Sequence, residues 1–350
     1  MSRLYDTAVV IGRFQPFHKG HYEIILQAAL KARKVLVLIG SSNKPRTYKN
    51  PWTYDERAQM IKDSFEGSTM KYVVHTAPLI DYIYNDRKWM NQVITKIYLF
   101  NADQKLDNSK TVIVGHDKDS SSWYLKAFPQ FHILNCENHQ GINATDIRKA
   151  WFGPEVRSVK ELVTSGSFEV IESTTNETLY LVEEAQVIKK YKESWDKAPW
   201  PYTLSCVDAV VESPQGFLMV KRAQAPGKGL WALPGGFVDV KETLLQSCIR
   251  ELQEETGLSK DNLLLQTCRT FDHPDRGDRG RTFTTAFYFK TFIENVYFEE
   301  SKDGEVSESR FISYKDLSQM RNLIYQDHLD IISYFDGNRE GLIDESYFGY

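Results

Sequence analysis

The sequence has little cysteine, no strong bias of charge and no long apolar run, and each shortage removes a class of protein. Its four cysteines, Cys136, Cys206, Cys248 and Cys268, lie far apart with no CxxC pair among them. That spacing suits reduced, buried thiols rather than a disulfide framework or a zinc site. Lys plus Arg total 43 against 47 for Asp plus Glu, a net charge of −4. Such a balance lacks the concentrated positive field of a polybasic nucleic-acid or membrane-surface binder. The longest apolar runs, such as residues 35–39, fall far short of the roughly 20 residues that cross a bilayer. The first residues, MSRLYDTAVVIGRF, lack the basic head and apolar core of a signal peptide. What is present is packing material: 41% hydrophobic and 13% aromatic residues, too much for a disordered chain. A soluble, cytoplasmic protein is expected, and a length of 350 residues makes two domains the starting point.

The first third alternates strands with helices. Residues 7–11 form an apolar run ending at Gly12, and 35–39 form a second, closed by Gly40-Ser41-Ser42-Asn43. Between them, Ile24, Ile25, Ala28 and Ala29 recur at helical spacing, which predicts a helix over 22–34 with a basic C-terminal end. A further helix is expected over 53–64 and a third buried strand over 111–114. Strand, helix, strand in this order implies a parallel sheet with right-handed crossovers, whose ligands gather at the carboxyl ends of the strands. Later the rhythm changes. Leu181, Ala185, Ile188 and Trp195 fit one helical stripe running into Pro199-Trp200-Pro201, where two prolines prevent continuation. From residue 202 come short strands (206–211, 216–221, 282–289), a helix over 242–256 and a C-terminal helix near 324–334, an α+β pattern.

Two segments of the first half carry chemistry. In GRFQPFHKGH (12–21), His18 and His21 sit three residues apart on one face at the start of the expected helix. The helix N-terminus there offers free N–H groups and the positive end of a dipole to an anion, and Gly20 permits close approach to the backbone. Alone, an HxxH pair also fits a solvated loop. GINATDIR (141–148) adds Thr145 as an expected helix N-cap and Arg148 in the first turn. Two histidines, a helix end and a late arginine can surround a triphosphate. That suits nucleotidyl transfer, in which the acceptor's phosphate is already the nucleophile. No Ser, Cys or Asp nucleophile is then required, and catalysis reduces to positioning and charge stabilisation.

On these residues, positions 1 to about 180 resemble the archaeal-type nicotinamide-nucleotide adenylyltransferases of the HxGH nucleotidylyltransferase superfamily. GRFQPFHKGH matches that family's first motif at every key position, and NATDIR resembles its ISxTxxR motif, with Asn143 in place of the usual serine. NPWTYDER (50–57) and NDRKW (85–89) also fit. The resemblance implies ATP as substrate, with Gly12, Arg13, Phe14, Gln15 and Thr145 binding nucleotide. It implies that His18 and His21 hold the ATP phosphates, that Arg148 holds the leaving pyrophosphate, and that Mg²⁺ bridges the phosphates. By that resemblance Trp89 would stack on the nicotinamide ring; on sequence alone it reads sooner as a core tryptophan. VGHDKDSSSWYL (114–125) follows the third expected strand and would bring Gly115, His116 and Asp117 near the ligand.

The second constellation is GFVDVKETLLQSCIRELQEETGL (236–258). Glu251, Glu254 and Glu255 are related by helical i+3 and i+4 spacing, so three carboxylates crowd one face beside an apolar stripe of Leu244, Leu245, Cys248, Ile249 and Leu252. A solvated acidic face is the plain alternative. Against it, Gly257 stops the helix directly after the cluster, and Leu233-Pro234-Gly235-Gly236 brings a tight loop to its start. Clustered oxygen ligands suit Mg²⁺ or Mn²⁺, and such ions can clamp a pyrophosphate and activate water. The stretch satisfies G-x5-E-x7-R-E-U-x-E-E-x-G-U, with U aliphatic, at every position and resembles the Nudix hydrolases. The resemblance implies metal held by the carbonyl of Gly235 and by Glu251 and Glu255, with Glu254 close by and Arg250 orienting the glutamates. For the general base it leaves Glu254, Glu305 and Glu308 open. PDRGDRGRTFTTAFYF (274–289) resembles the ADP-ribose-hydrolysing branch.

The expected fold is α/β: a Rossmann-like nucleotidylyltransferase domain with a parallel sheet over 1–185, then a helix end and Pro-rich linker over 186–202, and an α+β Nudix domain over 203–350. The expected function is bifunctional. One half joins ATP and nicotinamide mononucleotide into NAD and pyrophosphate, and the other cuts ADP-ribose to AMP and ribose 5-phosphate with Mg²⁺ or Mn²⁺. Alternatives are a different phosphate acceptor, a different nucleoside diphosphate for the Nudix half, or a Nudix half that senses ADP-ribose without cutting it. The expected partners are small nucleotides, with no nucleic acid and no membrane, and with room for a homo-oligomer.

Overall fold

The computed structural model describes residues 3–115, 125, 127–136, 141–296, 304–338 and 340–344. His116 and Asp117, expected beside the nucleotide, lie outside the described residues. The chain divides into two compact units, one of residues 1–81 and 86–182, the other of residues 82–85 and 183–350.

The first unit is built on a five-stranded sheet of β1 (Tyr5–Gly12), β2 (Ala32–Ile39), β3 (Val74–Pro78), β4 (Thr111–Gly115) and β5 (His132–Asn135), in the order β3-β2-β1-β4-β5. All pairs are parallel. Strands covered on both faces can be apolar throughout, and Ala8, Val9, Val10, Val35, Val37, Val112, Ile113 and Val114 are fully buried or nearly so. One face packs under α1 (Lys19–Lys31), α2 (Tyr54–Ser64) and α6 (Ser165–Ser173), through Ile25, Met60, Ile61 and Ile171. Val9, Leu36, Leu38 and Ile113 face the other way, onto Val93 and Ile97 of α3 (Asp86–Gln104). Helices α4 (Ala144–Trp151), α5 (Val159–Leu162) and α7 (Thr175–Thr178) complete the unit. The strand order reverses between β1 and β4, which puts Gly12 and Gly115 at the switch point where open parallel sheets bind ligands.

Several element ends differ from the sequence expectation. Helix α1 begins at Lys19 rather than 22 because His18 supplies its cap, and it ends at Lys31, so Arg33 and Lys34 belong to β2. The N-cap of α4 is Asn143, not Thr145: its side chain accepts from the Asp146 N–H at 2.9 Å, and Thr145 lies one residue inside the helix. The C-terminal helix expected near 324–334 forms as α11 (His328–Phe335), after a short 3-10 turn.

In the second unit, α8 (Leu181–Trp195) precedes a mixed sheet. Its order is β10-β11-β6-β7-β12, made of β6 (Leu204–Ser213), β7 (Gly216–Arg222), β10 (Leu264–Phe271), β11 (Thr282–Lys290) and β12 (Val306–Ile312). The short strands β8 (Trp231–Ala232) and β9 (Gly235–Phe237) pair with β7 and β6. Strand β6 runs parallel to β11 and antiparallel to β9. Helix α9 (Leu244–Thr256) lies on one face, its Cys248 and Leu252 packed with Val207, Ala209, Val211 and Phe287. On the other face, α10 (Tyr314–Gln319) and α11 contribute Leu317, Ile331 and Ile332 to a core that includes Tyr84. The Tyr84 hydroxyl donates to Asp327, which also accepts from Arg276 at 2.9 and 3.0 Å. That buried carboxylate is held below its usual range, its burial outweighed by the Arg276 charge. The α+β mixed sheet is the fold the sequence implied.

Candidate functional site

At the carboxyl end of β1 the chain turns sharply. Phe14 adopts a left-handed φ of +53°, Gln15–Pro16 is cis, and His18 then caps α1. The two histidines form a reciprocal capping box: His21 N–H faces His18 Nδ1 and His18 N–H faces His21 Nδ1, both at 3.4 Å. Their rings stack with centroids 3.6 Å apart. A neutral imidazole that accepts at Nδ1 carries its proton on Nε2. The motif that caps the helix thus sets both imidazole rings at the positive end of the helix, where an anion is favoured.

A cavity of about 240 Å³ opens there, lined by Arg13, Gln15, His18, His21, Thr145 and Arg148 among others. Arg148 is buried, and its guanidinium donates to the Gln15 carbonyl at 2.6 Å and to the Thr145 hydroxyl at 3.2 Å. The Gln15 side chain is itself fixed, donating to the Trp52 carbonyl at 2.8 Å and accepting the Trp52 N–H at 3.0 Å. Gly12 leaves room for the Phe14 ring, since a Cβ at Gly12 would lie 2.9 Å from it. Gly115 is buried at the end of β4, where its carbonyl accepts the Cys136 N–H. Trp89 stands apart from the cavity lining; it packs on the α3 side of the sheet with its ring 6.1 Å from Phe128.

The second candidate site sits where β9 meets α9. Thr243 caps the helix reciprocally with Gln246, and Gly257 ends it at φ +70°. Arg250 Nε donates to both carboxylate oxygens of Glu242, at 3.1 and 3.0 Å. Its Nη1 donates to Glu251 at 2.9 Å and Glu254 at 3.0 Å. Glu255 is buried and accepts the Gly235 N–H at 2.9 Å. Gly236 is open enough for the Glu251 carboxylate to approach; a Cβ there would lie 2.6 Å from it. The loop leading in is clipped from behind, with His328 Nδ1 accepting the Leu233 N–H at 2.7 Å and the Ala209 N–H donating to the Pro234 carbonyl at 2.8 Å. Glu251 and Glu255 therefore converge on Gly235-Gly236, whereas Glu254 is turned outward to Arg250, its side chain 52% exposed.

Comparison with known proteins fits this division. A cytidylyltransferase-like family model matches residues 9–150 and a NUDIX domain model matches residues 203–335. The nicotinamide/nicotinic acid mononucleotide adenylyltransferase of Acinetobacter baylyi is 33% identical over 189 residues, 54% of this chain and 94% of that protein. The ADP-ribose pyrophosphatase of Methanocaldococcus jannaschii is 36% identical over 127 residues, 36% of this chain and 69% of that protein. One solved structure resembles both halves together. A bifunctional NMN adenylyltransferase/ADP ribose pyrophosphatase from Francisella tularensis superposes with a TM-score of 0.84 and 32% identity, covering 95% of this chain and 99% of its own. The chain belongs to this bifunctional adenylyltransferase–Nudix family.

The bifunctional family's Nudix half implies a divalent metal, and the same Francisella protein is also solved with AMP and a Mn ion. The donor chemistry here fits such an ion. Burial pushes the Glu251 carboxyl up, partly offset by the Arg250 guanidinium, and it pushes Glu255 well above the usual carboxylate range despite the Gly235 N–H. A hard cation is the partner that would hold both ionised. Among the described residues no cluster of three or more His, Cys, Asp or Glu side chains gathers as a metal cage. Glu254 faces Arg250.

Arg57 escaped the sequence reading, although it ends the quoted NPWTYDER stretch. It is buried, and its guanidinium donates to the carbonyls of Arg13 and Gly40, both at 2.6 Å, of Thr53 at 3.0 Å and of Ser41 at 3.3 Å. Burial lowers it to about 10, so it remains a cation at neutral pH. Asn143 was read as a departure from the motif, yet its side chain performs the cap that a serine would supply.

Proposed function

We propose that this protein is a two-activity enzyme of NAD metabolism. The adenylyltransferase half, over about 1–185, joins ATP and nicotinamide mononucleotide; the Nudix half, over 203–350, hydrolyses ADP-ribose. The observation that carries this reading is the end-to-end likeness to one bifunctional protein, with both motif sets intact in the same chain.

In the first reaction a phosphate oxygen of the mononucleotide attacks the α-phosphorus of ATP. The bond from that phosphorus to the bridging oxygen breaks, and pyrophosphate leaves. Nothing in the chain needs to become covalently attached. His18 and His21 bring their imidazole rings and the α1 N-terminus to the phosphates. Arg148, braced by Gln15 and Thr145, neutralises charge on the leaving pyrophosphate. Gly12, Arg13, Phe14 and Gly115 shape the nucleotide site, and Trp89 serves the nicotinamide end.

In the second reaction water cuts the diphosphate of ADP-ribose to AMP and ribose 5-phosphate. Glu251, Glu255 and the main chain at Gly235 would hold Mg²⁺ or Mn²⁺, which would supply charge neutralisation and a more acidic water. Arg250 holds Glu251 in place. Glu254, Glu305 and Glu308 are the candidate bases; Glu305 lies near enough for its charge to raise the Glu251 and Glu255 carboxyls. Glu308 pairs with Lys221 and Arg310, and Glu254 with Arg250. Cytoplasmic location, no use of nucleic acid or membrane, and self-association remain parts of this proposal. No helix among the described residues is long and apolar enough to cross a membrane.

The test is a two-step incubation followed by chromatography. ATP, nicotinamide mononucleotide and Mg²⁺ should give NAD and pyrophosphate; ADP-ribose should give AMP and ribose 5-phosphate. A clear preference for NADH or an oxidised deoxynucleoside triphosphate overturns the assignment of the Nudix substrate. Failure to make NAD overturns the first half.

A further inference from the structure

The β1 end that lines the first cavity and the β2 end beside it both run into a conformation non-glycine residues rarely adopt. After β1, Phe14 has φ +53°; after β2, Ser41 has φ +51°. Such residues persist where their surroundings over-determine them, and they collect at functional sites. One side chain reaches both turns. Arg57, from α2, donates through Nη1 to the carbonyls of Arg13 and Gly40 and through Nη2 to that of Ser41, while its Nε returns to Thr53 in its own helix turn. Ser41 is gripped from the other side as well, its N–H and hydroxyl both donating to Asp81. Arg13 lines the cavity.

The guanidinium is 1% exposed, and every hydrogen bond it makes ends on a main-chain carbonyl. None of these bonds ends on a carboxylate, and the charges of Asp81 and Glu56 only partly offset the cost of its burial; a fold needing only packing there is served as well by an apolar side chain. A planar fork bridging separate strand ends is something neither an apolar side chain nor a lysine supplies.

We propose that Arg57 is a positioning residue of the adenylyl-transfer site, tying the ends of β1 and β2 together so that the Arg13–Gln15 turn is held in the shape that receives the ATP phosphates. The inference rests on the reading of this cavity as the ATP site. It predicts an effect specific to ATP rather than to the mononucleotide.

The test uses the full chain with Arg57→Met and Arg57→Lys. ADP-ribose hydrolysis in the same preparation reports the intact partner half, and calorimetric ATP binding accompanies the kinetics. For Arg57→Met, kcat/KM for ATP should fall roughly 10- to 100-fold, the size seen when residues that orient binding groups are removed. The KM for nicotinamide mononucleotide should stay within about twofold. Arg57→Lys should recover only part of the loss, since one ammonium cannot serve both strand ends. Wild-type ATP kinetics in Arg57→Lys overturns the proposal. So does a lower melting temperature in Arg57→Met with KM for both substrates unchanged, which marks a purely structural arginine. If the wild-type protein binds ATP without making NAD, the functional reading fails while the binding measurement still decides the role of Arg57.

Discussion

The two sites face the same kind of ligand, a nucleotide phosphate chain, from opposite electrostatic sides. The first is complete as folded: its cap is its motif, since the two histidines that close α1 also line the cavity. Arg148 and the helix end add positive charge where an anion must sit. The second is unfinished as folded, with two carboxylates pushed toward neutrality by burial, Glu251 oriented by Arg250 and Glu255 by the Gly235 N–H. A cation must be added before it can approach an anionic diphosphate. The net charge of −4 conceals this opposition. It teaches that placement of charge, not its sum, decides which step each half can perform.

The comparison breaks most visibly if one site fails without the other. His21→Ala removes a preorganised donor, for which losses of roughly 10²–10³ in rate are typical. NAD synthesis should drop by that factor while ADP-ribose hydrolysis in the same sample is unchanged. A parallel fall in both activities would show that the halves are not independent. Arg250→Ala should do the reverse with a smaller effect, lowering hydrolysis roughly 10- to 100-fold as outer-shell partners of metal ligands do, with NAD synthesis intact. An exposed ion pair of no functional weight would leave hydrolysis within about twofold.

The same contrast explains what could be read from the sequence. Glu251, Glu254 and Glu255 lie on one helix, so their spacing alone puts them together, and the Nudix signature was legible in full. GRFQPFHKGH was legible because cap and ligand are one contiguous run. Parallel strands with apolar sequence announced the Rossmann-like sheet. Other features depend on contacts distant in sequence. Nothing near position 57 says that its guanidinium ends on carbonyls of residues 13, 40 and 41. Helical spacing puts Glu254 within reach of Arg250 as well as beside Glu251 and Glu255, so spacing alone does not choose between them. Trp89 has the spacing of α3's apolar stripe and packs there against Phe128, a contact that sequence cannot weigh against a ligand.

A third measurement sharpens the claim that the Nudix site is unfinished. Without metal, Glu251 and Glu255 have folded pKa values above their unfolded ones. The folded half then binds protons more tightly, so its metal-free stability rises as pH falls through those raised values toward the unfolded value near 4.3. Mg²⁺ replaces the protons and should raise the melting temperature more at pH 8 than at pH 5.5. At a hundredfold excess over its dissociation constant the gain is about 2.7 kcal/mol, or several degrees for a domain of this size. Calorimetry at the two pH values checks it; an equal shift at both contradicts the electrostatic contrast.

The smallest effect concerns the one motif position that departs from its family pattern. Asn143 side-chain oxygen accepts the Asp146 N–H, and its amide nitrogen donates to the Asp146 carboxylate at 2.6 Å. Asn and Ser rank together as N-caps, whereas alanine at such a position costs about 1 kcal/mol. If the residue at 143 matters as a cap, Asn143→Ser should leave the melting temperature and NAD synthesis unchanged. Asn143→Ala should cost a few degrees and loosen α4, the helix that carries Thr145 and Arg148 to the cavity. The order reverses if position 143 serves the nucleotide directly: both variants then raise KM for ATP, and the melting temperature stops predicting which is worse. The outcome decides whether the first site tolerates change wherever the helix end is preserved, which is the property that separates it from a site whose carboxylates must meet a metal.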